Sequence, residues 1–96
     1  MTASDFAALV RDLRAAGVYY EPADEIDRLP FLVRHQTSLY TTIGRLCDRV
    51  DTAPDHRQFV LMLKLRVRAV VALRWIEALG ARSIWAKRGW FKGCAA

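Results

Sequence analysis

A chain of 96 residues with 53% apolar side chains is enough for one domain with a modest core, and too apolar to be disordered. Fifteen Lys and Arg against ten Asp and Glu leave a net charge of +5, a balance that points toward anionic partners. Two cysteines, Cys47 and Cys94, exclude a disulfide-stapled scaffold, and the opening MTASDFAALV has neither the basic start nor the long apolar run of a signal peptide; a reducing cytoplasm with both thiols free is the expected setting.

The first predicted helix starts at Ser4, a capping residue, with Asp5 at the positive end of its dipole and Gly17 as its stop. Phe6, Leu9, Val10 and Leu13 recur at helical spacing and form one face; Arg11 and Arg14 lie on the other side. Residues 18–29 form a connector in which Tyr19 and Tyr20 pack back on the helices. Pro22 fits the first turn of a short acidic helix over residues 24–27. The second helix runs from about Pro30 to Val50. Its stripe is Leu32, Leu39, Ile43, Leu46 and Val50, with Phe31, Tyr40 and Cys47 at the edges and Gly44 inside. Residues 51–55, DTAPD, form a turn in which Asp51 or Thr52 caps the next helix, Pro54 occupies its first turn and Asp55 meets its dipole.

The third helix is expected from about Pro54 to Leu79, stopped by Gly80. At 3.6 residues per turn it carries two apolar stripes. The broad one is Leu61, Leu65, Ala69, Ala72, Ile76 and Leu79, and the narrow one is Val60, Val67, Val71 and Ala78. Cations fill both seams, Lys64 and Arg68 on one and Arg66 and Arg74 on the other. Two further helices suffice to cover the broad stripe. The narrow one is left for a second subunit, as a homodimer through the third helix, or for another protein. Phe59 to Leu79 is 21 residues, long enough to cross a bilayer, but Lys64, Arg66, Arg68, Arg74 and Glu77 lie inside it. Each such charge costs about 2.5–3.5 kcal/mol at a membrane centre, so no membrane span is expected. Residues 81–96 form a basic, aromatic tail or a short fourth helix, with Ile84 and Trp85 folded back on the core and Gly89 breaking the run. The fold expected is therefore all-α, a single domain over residues 1–96 built as a small three-helix bundle with a short fourth helix or C-terminal tail.

Chemical motifs are lacking. His35, His56 and Cys47 have no metal-ligand spacing, and neither a phosphate-binding glycine loop nor a nucleophile elbow is present. Asp24, Glu25 and Asp27 read as a solvated turn, and Cys47 reads as core. The expectation is a protein that is not an enzyme and uses no metal and no cofactor.

The charge distribution carries the functional expectation. Residues 1–48 hold five Arg against seven acids, a net −2; residues 49–96 hold ten cations against three acids, a net +7. Arg66, Arg68, Arg74, Lys87, Arg88 and Lys92 are the candidate partners for phosphates or carboxylates, with Trp90 and Phe91 as stacking or anchor groups. The leading expectation is a binding module whose basic C-terminal half engages nucleic acid or a nucleoprotein surface. The alternative is an inhibitor or adaptor that docks on a protein target through Trp90, Phe91 and the third helix. The compact, motif-free, Arg-rich character is that of a small accessory protein of bacteria or their mobile elements.

Overall fold

A computed structural model of the chain describes the backbone of residues 1–20 and 29–88 and the side chains of residues 1–20 and 34–80. Among the described residues there are three α-helices and no strand: α1 over Ala3–Ala15, α2 over Leu29–Asp51 and α3 over His56–Arg88.

The first helix is fixed at both ends by local chemistry. Thr2 caps it: its hydroxyl accepts the Asp5 N–H at 3.2 Å, and the Asp5 carboxylate accepts the Thr2 N–H at 2.9 Å. The expected cap, Ser4, lies instead in the first turn. The reason is reciprocity: three residues after Thr2 comes Asp5, which returns a hydrogen bond, whereas three after Ser4 comes Ala7, which cannot. Bonding to Thr2 also holds the Asp5 carboxyl below its ordinary pKa. At the other end Gly17 stops the helix as expected, in the left-handed conformation at φ +74°. The Gly17 N–H bonds to the Arg14 carbonyl at 3.0 Å and the Val18 N–H to the Leu13 carbonyl at 2.9 Å, the paired closure of a glycine-ended helix. Val18 and Leu13, joined by that bond, are both buried.

Two arginines of α2 take up the carbonyls that this closure leaves. Arg49 donates to Ala16 O and Gly17 O, each at 3.2 Å, and Arg45 donates to Tyr19 O at 3.1 Å while its guanidinium lies 5.2 Å from the Tyr19 ring centroid. Of the two connector tyrosines only Tyr20 enters the core; Tyr19 stays exposed beneath Arg45. The acidic segment expected as a short helix, residues 24–27, lies outside the described residues.

Between α2 and α3 the four residues 52–55 allow only an antiparallel hairpin. The cap of α3 is Asp55, whose carboxylate accepts the Gln58 N–H at 2.8 Å; Thr52 bonds back to Asp48 O at 2.8 Å and belongs to the end of α2. The third helix thus begins at His56, two residues later than expected.

Its far end departs more. Gly80 does not stop α3, which continues in one piece to Arg88, so residues 81–88 are its last two turns and not the start of a fourth helix. One glycine costs a helix only about 1 kcal/mol, and no proline follows to enforce the break. At 1.5 Å per residue the 33 residues of α3 run about 50 Å, close to the molecule's longest extent of 53 Å. With 23 residues, α2 is ten shorter, and α1 has 13.

The core lies where these helices meet. Phe6, Leu9, Val10 and Leu13 of α1, Val18 and Tyr20 of the connector, Leu39 and Leu46 of α2, and Met62, Leu65, Ala69, Ala72, Leu73 and Ile76 of α3 are all buried. Ile43, Val50, Trp75 and Leu79 pack against this cluster from its rim. The broad stripe expected on α3 is thus shifted: Leu61 is 39% exposed, and Met62 and Leu73 are buried in its stead. The shift turns the buried arc toward α2, the longer neighbour. Tyr40, expected at the stripe edge of α2, is exposed.

Two polar side chains are sealed in α2. His35 is 4% exposed; its Nδ1 lies 2.8 Å from the Tyr20 hydroxyl, and its ring meets the Phe6 ring edge-on at 5.0 Å. Burial pushes the Tyr20 hydroxyl pKa upward, so the phenol stays neutral. Thr42 is fully buried and its Oγ1 has no hydrogen-bond partner.

Candidate interaction face of the third helix

The six cations expected to act together are not gathered into one described patch. Arg66 and Arg68 are two residues apart, so they leave the α3 axis about 160° from each other. Half-buried Arg66 turns toward α2, with Nη1 3.9 Å from Cys47 Sγ. Arg68 turns toward α1, where Nη1 donates to Asp12 Oδ2 at 2.8 Å. That bond holds the Asp12 carboxyl below its ordinary pKa. Arg74 is exposed on the side of α3 away from both neighbours. Lys87 and Arg88 belong to the last turn of α3, while Lys92, Trp90 and Phe91 lie outside the described residues.

Arg45 of the acidic half and Arg49 of the basic half, which sequence reasoning did not single out, are structural: they hold the end of α1. Only their placement near the C-terminal end of a helix could have flagged a capping use, and the carbonyls they bind are 26 to 33 residues away.

The outer face of α3 is a different matter. With about 100° per residue, Val60 and Ala78 share one direction, Val67 and Val71 fall about 20° to either side, and Ile76 and Ala69 point the opposite way into the core. Val67 is 61% exposed and Val71 is 49% exposed; Ala78 is exposed and Val60 is half-buried. The narrow stripe read from the sequence is therefore uncovered. It is about 27 Å long from Val60 to Ala78 at the helical rise. Lys64 and Arg74 flank it, about 40° to either side, and Arg57 follows on the Lys64 side; all three are exposed. At its start a shallow open groove is lined by Asp55, Arg57, Val60, Leu61 and Lys64.

These valines serve neither the helix nor the core. A β-branched residue is a poorer helix former than Ala, Lys or Glu by roughly half a kcal/mol. Leaving about half of each side chain in water forgoes on the order of 1 kcal/mol apiece. A helix kept for its own sake would have polar residues at 67 and 71.

Among the described residues no group of His, Cys, Asp and Glu is placed to hold a metal ion, and no helix is long and apolar enough to cross a membrane. The buried polar pair Tyr20 and His35 is closed off from solvent within the core. Comparison with known proteins finds no match: no family model, no curated protein and no solved structure is similar to this chain.

Proposed function

We propose that the chain is a non-enzymatic interaction module, an adaptor or inhibitor that docks the outer face of α3 on a protein. The observation that carries this reading is the exposed pair Val67 and Val71 between Lys64 and Arg74, opposite the core. Apolar side chains at the centre of a patch, with cations at its rim, suit a protein surface: the centre supplies affinity and the rim supplies register. Trp90 and Phe91 would extend the same contact as anchors.

A photocrosslinking residue tests the reading. Placed at 67 or 71 in the full chain and irradiated in extract of cells that make the protein, it is expected to give discrete, nuclease-resistant protein adducts. The same residue at Ala7, exposed on α1, is the control and should not. Equal adducts at all three positions would sink the assignment.

One observation favours a second reading. From Arg57 onward nine cations face one acid, Glu77. Arg66, Arg68, Arg74, Lys87, Arg88 and Lys92 would then engage the phosphates of nucleic acid or of a nucleoprotein, with Trp90 and Phe91 stacking on bases. Such binding weakens steeply with salt because each neutralised phosphate releases counterions. Adducts at 67 and 71 that vanish after nuclease treatment would favour it.

A further inference from the structure

We infer that the occupant of the α3 outer face is an amphipathic helix of another protein, with Asp and Glu along the edges of its own apolar stripe. The inference rests on the docking role proposed above and adds the chemistry of the partner. Its ground is the sign of the charges. Among the residues with described side chains, the ionisable groups of α3 within about 60° of the stripe's centre line are His56, Arg57, Lys64 and Arg74, and no carboxylate is among them; Asp55, the cap of α3, lines the groove at the stripe's start. Glu77 lies about 100° round the helix. Asp12 is at the α1 seam, engaged by Arg68.

The same signs argue against a second copy. Antiparallel pairing of two α3 helices across Val67 and Val71 brings Lys64 of one copy level with Arg74 of the other. Parallel pairing sets each cation beside its own equivalent. Packed helices lie 8–10 Å apart, so in either arrangement cations converge with no acid between them. Like charges on facing helices select against a partner, and opposite charges select for one.

A phosphate backbone would satisfy the cations but leave the valines in water. An acidic amphipathic helix meets both. Anchors at positions 60, 67, 71 and 78 are spaced by seven, four and seven residues, one side of a helix five turns long, and a partner helix of about 18 residues spans them.

The experiment is a displayed library of 18-residue helical peptides. Each has a fixed apolar stripe and flanking positions randomised among Glu, Lys, Gln and Ser. It is selected on the full chain, on Lys64→Glu/Arg74→Glu, and on Val67→Asp/Val71→Asp; helical content of each variant is checked by circular dichroism, and all substituted positions are exposed. The full chain is expected to enrich Glu at the flanks. The charge-reversed variant is expected to enrich Lys there. The valine variant is expected to bind the selected peptides at least tenfold more weakly.

Peptides that need the valines but show no preference for Glu would overturn the acidic-helix inference and leave the docking face standing. Absence of enrichment, or binding indifferent to the valines, would overturn the docking face itself. Sedimentation of the chain alone supplies another decision: a dimer that Val67→Asp/Val71→Asp dissociates would make a second copy the occupant. A labelled oligonucleotide bound at moderate salt through Lys64 and Arg74, with the valines irrelevant, would assign the face to nucleic acid and refute the inference.

Discussion

The inner and outer sides of α3 are built from similar residues and meet opposite surroundings. Inward, Leu65, Ala69, Ala72 and Ile76 are buried against α1 and α2; outward, Val67 and Val71 stand about half in water. Both sides repeat apolar residues at helical spacing, so both call for cover. What separates them is the number of neighbours. One helix of 13 residues and one of 23 lie on one side of a helix of 33, and nothing described covers the other. Periodicity reports which surfaces gain from burial. It does not report whether the chain itself supplies the cover.

The sharpest way to break this comparison is to truncate one residue on each side. Leu65→Ala opens a cavity among buried neighbours and should cost about 3 kcal/mol of unfolding free energy. Val71→Ala removes exposed methyl groups from a helix that prefers alanine, and should fall within about 0.5 kcal/mol of wild type. Paired urea titrations of the full chain read both. Equal losses would mean that the outer face is covered in solution by the chain or by a copy of it.

How much of this was legible in the sequence follows the range of each interaction. The all-α character, the inner face of α1 and its stop at Gly17 were legible, because helical spacing and a glycine after the last apolar residue are local signals. The narrow stripe of α3 was legible for the same reason. The shift of the buried arc from Leu61 to Met62 and Leu73 was not, since it depends on how far α2 reaches around α3. Nor was the Tyr20–His35 pair, whose partners are fifteen residues apart, or Trp75, whose ring lies 6.0 Å from Phe6. The candidate site suffered most from reading charge as a sum. Arg68 counted toward a positive surface, yet Asp12 of the acidic half engages it. Arg45 and Arg49 are likewise turned inward, onto the backbone of the first 19 residues.

Two glycines sharpen the contrast at the next scale of energy. Gly17 and Gly80 look alike in sequence, each closing a helical pattern. A Cβ at either meets nothing within 4 Å, so only backbone conformation separates them. At Gly17, φ is +74°, and Gly17→Ala should lose about 1–2 kcal/mol from strain in the left-handed region. At Gly80 the backbone is helical, and Gly80→Ala should gain about 1 kcal/mol by restraining the unfolded chain and favouring the helix. Thermal melts of the two variants should move in opposite directions. A loss at Gly80 would mean that α3 is interrupted there in solution, two residues beyond Ala78, where the outer stripe ends.

The smallest expected effect lies on the seam between the two sides of α3, where Arg68 meets Asp12. The hydrogen bond from Arg68 is the main cause of the lowered Asp12 pKa, and Arg11, 3.5 Å from the same carboxylate, adds to it. A carboxyl depressed in the folded state contributes stability above its unfolded pKa, near the ordinary value of 3.8, and loses it as pH falls through the lower folded value. Asp12→Asn should therefore be less stable than wild type at pH 7, by an amount that shrinks as pH drops below about 4. The pair is partly exposed, so 0.5 M salt should shrink the difference as well. Urea midpoints for the two proteins, compared across pH and salt, give the result. If the difference persisted unchanged in acid, the ion pair would not be what seats α1 on α3, and Arg68 would be free to join Arg57, Lys64 and Arg74 on the outward side.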